Sequence, residues 1–325
     1  MRRALLGLAL ALLALVADAG AQPAPGVHRI GFLGNSTAAL EANLVGPFRE
    51  GLRALGYVEG ANVHIEYRWA EGRYERFPAL VAELIGARVE VIVTAGTPAS
   101  LAVKKATSTI PLVMVAVGDP VATGLAKTLG RPGGNATGLC SIAPDMEGKR
   151  LQLLRELLPG MTQVAVLRNP SNLFHVGSSE TAQEAADSAG IALHFVDARS
   201  AEELPSALGA AARSRPQALV VFADRVFLHN RRRIADFALR SHLPTAVTHQ
   251  ELVDAGVLMS FGANYPDMHR RAATYVDRIL RGTRPAEMPI EQPTRFELVM
   301  NRRTARALGL SIPAALLLQA DRVID

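Results

Sequence analysis

Short, continuously apolar segments alternate with segments that carry apolar residues at helical spacing along most of the chain. Residues 91–93 and 112–117 are rich in Val, which is typical of strands covered on both faces of a parallel sheet. Residues 44–55 place Leu and Phe on one helical face and stop at Gly56. This alternation predicts βαβ units with right-handed crossover connections.

The pattern occurs twice and predicts two similar halves. The predicted strands are residues 29–33, 62–67, 91–93, 112–117, 164–167, 193–196, 218–222, 245–247, 257–261 and 297–300. The predicted helices include residues 44–55, 77–85, 121–129, 146–158, 178–189, 201–213, 231–241, 266–281 and 314–318. The expected fold class is therefore α/β, with two Rossmann-like lobes, each a doubly wound parallel sheet, joined by a hinge.

The chain is predicted to cross between the lobes more than once. One boundary is expected near residues 138–143, and the strand at 257–261 followed by a long helix indicates a second crossing. The predicted N-terminal lobe is residues 28–138 with about 263–292, and the C-terminal lobe is residues 141–260 with about 293–325. The placement of that last segment stays open. Gly138 and Gly262 are the predicted hinge residues.

Residues 1–21 have the pattern of a secretory signal peptide. Arg2 and Arg3 precede an apolar run at 4–17, and small residues at 17–21 provide a cleavage pattern before Gln22. The run is too short for a comfortable membrane span, and no later segment reaches the 18 apolar residues that a span requires. The sequence therefore predicts an exported protein whose mature chain does not insert into the membrane.

Charge and cysteine content exclude several classes of protein. Removal of the signal peptide leaves a net charge of about +4, and the positive residues are scattered among acidic ones, which argues against a nucleic-acid-binding surface. The densest basic run, residues 231–233, is interpreted as a solvated helix face. The single cysteine, Cys140, forms no disulfide within the chain and no cysteine-based metal site. We expect a monomer without cofactor or metal.

Polar residues follow the predicted strands, at the edge where open α/β sheets bind ligands. The candidates in the first lobe are Asn35, Ser36, Thr94, Gly96, Thr97 and Asp119, and those from the second lobe and its crossing are Asn169, Asp224, His249 and Asn264. Turn formation, helix capping and, for Asn264, a hinge role are the alternatives to ligand binding. Pro98 and Pro120 stand where a first helical residue would, so Thr97 and Asp119 are candidate N-caps. Trp69, the only tryptophan, is expected to pack in the core.

Six stretches of the chain carry a resemblance to a known family. They are RIGFLGN (29–35), FREGLRALGYVEGANVHIEYRWAEG (48–72), VIVTAGTPASLAVKKAT (91–107), IPLVMVAVGDPVATGLAKTLGRPGGNATG (110–138), KRLQLLRELLPGMTQVAVLRNPSN (149–172) and IPAALLLQADRVI (312–324). The combination of GDPVATGL with RPGGNATG is distinctive. The chain resembles the periplasmic substrate-binding proteins of ABC transporters, in the branch that includes tryptophan and tyrosine binders, with the type I periplasmic-binding fold.

The resemblance implies two lobes that close over a small ligand and deliver it to a membrane permease without changing it. Thr94, Gly96 and Thr97 match the position where the family holds its ligand, often a carboxylate, through backbone N–H and hydroxyl groups. Asp119 is a candidate partner for a ligand ammonium group. We therefore expect a small carboxylated solute, such as an amino acid, as the ligand.

Enzyme motifs are absent from the sequence. It contains no G-x-S-x-G elbow, no Walker A sequence and no H-E-x-x-H, and the Gly-rich turn at 130–134 does not open a helix. The chain is therefore not predicted to be an enzyme. The alternative function is a secreted ligand sensor of the same fold that signals to a membrane partner.

Overall fold

The computed structural model describes residues 26–141 and 146–325, which form two lobes, each built on one sheet. The first sheet is parallel and has the strand order β2-β1-β3-β4-β5. Its strands are β1 (His28–Gly34), β2 (Val63–Trp69), β3 (Val91–Ala95), β4 (Leu112–Val117) and β5 (Ala136–Cys140). The predicted signal peptide lies outside the described residues.

The second sheet has seven strands in the order β12-β11-β10-β9-β8-β6-β7. They are β6 (Gln163–Arg168), β7 (Ala192–Asp197), β8 (Ala218–Val221), β9 (Thr245–Val247), β10 (Met259–Ala263), β11 (Phe296–Asn301) and β12 (Arg322–Ile324). The strands β6 to β10 are parallel to one another, whereas β11 runs antiparallel to β10. β11 therefore ends at the opposite edge from the carboxyl ends of β6 to β10.

Helices cover both faces of each sheet. They are α1 (Ala42–Ala54), α2 (Phe77–Gly86), α3 (Thr97–Ala106), α4 (Met146–Leu157), α5 (Phe174–Ala189), α6 (Leu204–Arg213), α7 (Arg225–His229), α8 (Arg231–Arg240), α9 (Gln250–Asp254), α10 (Tyr265–Leu280), α11 (Arg302–Ala307) and α12 (Ala314–Gln319). Alternate residues of β3 pack into different cores: Val91 and Val93 face the α1 side, and Ile92 faces the α2 side. This two-sided burial explains the continuous apolar runs in the sequence.

The chain passes between the lobes at three places. The first connection runs from β5 to α4, and the second from β10 to α10, which packs against α1 on the first sheet. The contact between α1 and α10 is close, because a Cβ at Gly51 would overlap the backbone carbonyl of Arg270. The third connection pairs Glu291 with Leu139 and then enters β11 of the second sheet.

The predicted helix at 121–129 is wrong. Residues 121–124 form turns, and Gly124 has φ +72°, a conformation that ends a helical path. The predicted N-cap at Thr97 is also wrong by one residue, because Gly96 with φ +82° is the N-cap of α3. Trp69 packs as predicted: its ring stacks on Tyr67 with centroids 6.0 Å apart and lies against the first-lobe core.

In the described part of the chain, no helix combines the length and the apolar character needed to cross a membrane.

Candidate functional site

The lobes meet through segments that follow the carboxyl ends of their strands. Ser36 Oγ, after β1, lies 2.6 Å from Nδ1 of His229, at the end of α7. Asn43 of α1 donates a hydrogen bond to Glu251 of α9 at 2.8 Å. A cavity between the lobes opens among these strand ends, where doubly wound sheets bind ligands.

The larger part of this cavity, here named the main compartment, has a volume of about 590 Å³. This volume is within the usual range for small-molecule sites. The first lobe contributes residues 119, 122 and 123, and Ser141 lies at the crossing. The second lobe and its crossings contribute Met146, Glu147, Arg150, Leu173, Phe174, Val176, Gly177, Ser178, Glu180, Thr181, Ala223, Thr248, Ala263 and Tyr265. Residues from both lobes thus surround one space.

Phe174 separates the main compartment from a smaller one. The smaller space, here named the side compartment, has a volume of about 20 Å³ and shares Ser141, Phe174, Ala223 and Tyr265 with the main compartment. The ring of Phe174 lies directly over Gly118, where the three atoms nearest to an added Cβ would all belong to Phe174. Glycine at this position lets the ring of the second lobe reach the first lobe.

A buried ion pair lines the main compartment. Glu147 Oε1 and Arg150 Nη2 are 2.5 Å apart, with side-chain exposures of 10% and 3%. Arg150 also donates a hydrogen bond to the carbonyl of Phe261 at 3.0 Å. Glu147 Oε2, Arg150 Nε and Thr248 Oγ1 are buried without a hydrogen-bond partner among the described residues. Buried polar atoms usually have a hydrogen-bond partner, so each of these three atoms is available for a hydrogen bond to a ligand.

Asp119 reaches the main compartment as part of a turn. Its Oδ1 accepts hydrogen bonds from the backbone N–H groups of Val121 and Ala122, at 2.8 and 2.9 Å. The Asp119 carboxylate thus provides hydrogen-bond acceptors for the first backbone N–H groups of the segment that follows β4. The carboxylate lines the cavity at the same time, so capping and ligand contact are compatible at Asp119.

The side compartment lies at the N-terminus of α3. Gly96 and Thr97 form its first-lobe wall, and the Thr97 hydroxyl accepts a hydrogen bond from the Gly118 N–H at 3.0 Å. A helix N-terminus carries partial positive charge and favours anions. From the second lobe, Arg225 approaches so closely that a Cβ at Gly96 would lie 3.5 Å from Arg225 Nε.

Arg225 lines the side compartment and is not among the residues predicted from the sequence. It is 5% exposed, and its guanidinium carbon lies 5.6 Å from the centroid of the Tyr265 ring. Within residues 26–141 and 146–325, its side chain makes no hydrogen bond and no ion pair. The one available signal was its position directly after Asp224, in a polar segment that follows a strand.

His249 lines the side compartment and is neutral. Burial, and then the positive charges of Arg225 and Arg150, hold the pKa of His249 well below its ordinary value. Its ring packs against Tyr265 with centroids 4.5 Å apart, and its Nδ1 has no hydrogen-bond partner in the described part of the chain. The imidazole therefore offers a polar atom to the compartment.

Several predicted ligand contacts are occupied within their own lobe. Asn169 donates to Asp224 at 3.2 Å, and Asp224 also accepts from Asn172 and from the Val226 N–H at the start of α7. The Thr94 hydroxyl donates to the Leu33 carbonyl at 2.7 Å. None of Asn169, Asp224 and Thr94 lines either compartment.

The remaining predicted residues lie at the edges of the site. Asn35 donates to the Ala95 carbonyl of its own lobe at 3.0 Å, whereas Ser36 contacts His229 at the junction of the lobes. Asn264 caps α10 by accepting from Asp267 N–H and donates to Glu297, outside both compartments.

The two predicted hinge glycines lie inside strands next to the crossings. Gly138, in β5, has φ +132°, and a Cβ there would overlap the Met114 backbone. Gly262, in β10, lies against the carbonyl of Thr248 in the same way. Close backbone approach thus accounts for glycine at both positions.

The described residues contain no group of His, Cys, Asp and Glu side chains suited to hold a metal ion.

The proteins similar to this chain include the following three. A tyrosine-binding protein of Clostridioides difficile (strain R20291) is 24% identical over 264 residues, which are 81% of this chain and 75% of that protein. A conserved domain protein from Vibrio cholerae is 28% identical, with a TM-score of 0.86 over 91% of this chain and 99% of that one. An ABC domain in complex with L-Trp from Streptococcus pneumoniae is 24% identical, with a TM-score of 0.85 over 91% of this chain and 99% of that one.

The similarity extends over both lobes. The two solved structures share the two-lobed α/β fold, which confirms the fold class predicted from the sequence. The family described as ABC transporter substrate binding protein matches residues 36–324, which is most of the chain. The chain therefore belongs to the family of ABC transporter substrate-binding proteins.

Proposed function

We propose that the protein is a periplasmic solute-binding protein of an ABC importer. In this proposal it holds an amino acid between its lobes and delivers it, unchanged, to a permease. The observation that carries the proposal is the main compartment, a space of about 590 Å³ that combines an apolar wall with buried charged side chains. Such a site suits a small solute that has both an apolar body and charged groups.

In this proposal, each region of the cavity wall contacts a different part of the ligand. Phe174 and Tyr265 supply aromatic surface for an apolar side chain. Asp119 and Glu147 supply carboxylates for an ammonium group, and Glu147 Oε2 has no partner among the described residues. The N-terminus of α3 at Gly96 and Thr97 favours a carboxylate. We place the ligand contacts at these residues and at His249.

Aromatic amino acids are the first candidates. The names of two similar proteins mention tyrosine and L-Trp, and the aromatic wall of the main compartment fits ligands of this kind. The contacts between Ser36 and His229 and between Asn43 and Glu251 would then form as the lobes close on the ligand. The lobe boundaries we propose are those expected from the sequence, with α10 in the first lobe and β11 and β12 in the second.

A thermal-shift screen tests the proposal. A ligand that binds only the folded protein stabilises it by RT ln(1 + [L]/Kd), so an amino acid at 100 times its Kd adds about 2.7 kcal/mol. The panel contains the twenty amino acids, small organic acids and nucleosides, and calorimetry then measures Kd for each hit. A shift with amino acids and not with nucleosides is expected. A protein that melts at the same temperature with every amino acid would contradict the proposal.

Export and delivery need separate tests. N-terminal sequencing of material from the periplasm should begin near Gln22, and an intact Met1 would contradict the predicted signal peptide. Uptake of the labelled amino acid should depend on this protein together with a permease. Normal uptake in its absence, combined with a lost transcriptional response to the amino acid, would instead favour the sensor function.

A further inference from the structure

Arg225 is a buried charge without a direct counter-ion. The residue is 5% exposed, and no carboxylate of the described residues lies within ion-pair distance of its guanidinium group. Burial of a charge is unfavourable unless the charge is paired and hydrogen-bonded. The ring of Tyr265, 5.6 Å from the guanidinium carbon, is a weaker partner than a carboxylate. Arg225 therefore lacks the paired anion that would offset the cost of burying its charge.

The nearby acidic side chains are engaged elsewhere. Glu41 Oε1 accepts hydrogen bonds from the backbone N–H groups of Asn35 and Ser36, and burial raises the pKa of Glu41 in spite of the charge of Arg225. Glu251 accepts from Asn43, and Asp224 is held by three donors of its own lobe. These carboxylates lower the cost of burying Arg225 through space, but they do not pair with it.

The side compartment places a second source of positive potential opposite Arg225. The N-terminus of α3, a helix of ten residues, forms the other wall at Gly96 and Thr97. The compartment has a volume of about 20 Å³, which is slightly more than one water molecule needs. The space therefore admits a single oxygen atom between a guanidinium group and a helix N-terminus, and it shares Ser141, Phe174, Ala223 and Tyr265 with the lining of the main compartment.

We propose that Arg225 is the counter-ion of the ligand carboxylate, and that one carboxylate oxygen occupies the side compartment. This inference rests on the proposed function and deepens it. Arg225 belongs to the second lobe and α3 to the first, so the carboxylate bridges the two lobes. A ligand that lacks this charge loses both the ion pair and the contact that holds the lobes together. The site therefore selects free carboxylic acids over their amides and amines.

The test is a thermodynamic cycle that changes Arg225 in the protein and the carboxylate in the ligand. Calorimetry measures the Kd of L-tryptophan, L-tyrosine and L-leucine, each with its primary amide, for the wild type and for Arg225→Gln. The wild type should bind at least one acid about 10- to 100-fold more tightly than the amide, as expected for hydrogen bonds to charged groups. In Arg225→Gln this preference should shrink by about tenfold, and the N-terminus of α3 should leave only a weak preference for the acid. The matched control is Arg233→Gln, which removes an exposed arginine whose Nη1 donates to the Ala201 carbonyl, and it should keep the preference for the acid.

Two further measurements separate this role from a structural one. Because Arg225 has no direct counter-ion, ligand-free Arg225→Gln should melt at or above the temperature of the wild type. If Arg225→Gln does not fold, Arg225→Lys keeps the charge without the planar fork, and it should bind the acid more weakly yet still prefer it to the amide.

The outcomes are distinguishable. An acid preference as large in Arg225→Gln as in the wild type overturns the assignment of Arg225 and leaves the proposed function in place. A ligand-free melting temperature that falls by several degrees in Arg225→Gln, with the acid preference unchanged, assigns Arg225 to structure. A wild type that binds none of the three acids rejects this inference, and the broader amino acid panel then decides the proposed function.

Discussion

Gly118→Ala should weaken ligand binding without weakening the fold of either lobe. The three atoms nearest to an added Cβ are Cγ, Cδ2 and Cβ of Phe174, which is on the other lobe. Real Cβ atoms essentially never approach another heavy atom within 3.0 Å, so the ring would have to withdraw by roughly 1 Å. The substitution therefore opposes the closed arrangement of the lobes and places no strain within the first lobe.

The size of the effect follows from the cost of overpacking. Forcing an extra methyl group into a packed contact costs about 1–3 kcal/mol. Because this cost arises only when the lobes close, it is subtracted from the free energy of ligand binding, and Kd should rise by about 5- to 150-fold. Calorimetry of the best ligand from the amino acid panel measures Kd, and a thermal melt without ligand should differ little from the wild type.

Two variants control this experiment. Gly46→Ala adds the same methyl group to α1, where no atom lies within 4 Å of the added Cβ, and it should leave Kd unchanged. Phe174→Gly removes all three of the atoms nearest to the Cβ added at Gly118 and weakens binding by itself, but adding Gly118→Ala to it should cause no further loss, because the two residues share one contact. Additive losses, or a Kd for Gly118→Ala equal to that of the wild type, would refute the reasoning.

Three further predictions concern α1, α10 and the first-lobe turn. Gly51→Ala should lower the free energy of unfolding by about 1–3 kcal/mol in urea melts, because the added Cβ overlaps the Arg270 carbonyl; stability equal to that of Gly46→Ala would contradict the close packing. Burial lowers the pKa of His269 to about 4, so its protonation opposes folding as the pH falls below about 6.5. The resulting loss approaches about 3 kcal/mol by pH 4, and a His269→Gln protein with the same pH dependence would contradict it. Asp119→Ala should weaken the best amino acid by about 1.5–3 kcal/mol in calorimetry, and unchanged affinity would remove Asp119 from the site.

Local sequence patterns were sufficient to predict most of the fold. The valine-rich strands β3 and β4 are buried on both faces, so their sequences are mostly apolar and can be recognised as strands from the sequence alone. The prediction of a helix at 121–129 was wrong because Asp119 holds the following backbone N–H groups in a turn, which Gly124 continues with a positive φ. Apolar spacing alone cannot distinguish such a turn from the start of a helix.

The site was predictable only in part, because it is made from contacts between distant segments. Gly96, Thr97, Asp119 and His249 follow strands, and the rule that strand ends meet at one edge identified them. Glu147 and Arg150 pair at i, i+3 within α4, but the contacts of Arg225 and Phe174 depend on how one lobe approaches the other. No local pattern records that approach. The same rule also selected Asn169 and Asp224, whose polar atoms bind each other instead.

The crossing of α10 to the first lobe has a consequence for biogenesis. The first lobe needs α10 to cover Leu44 and Phe48 of α1, yet α10 is synthesised after most of the second lobe. Until residue 280 has been synthesised, α10 cannot cover this apolar surface. The first lobe therefore cannot complete its folding before most of the second lobe has been synthesised.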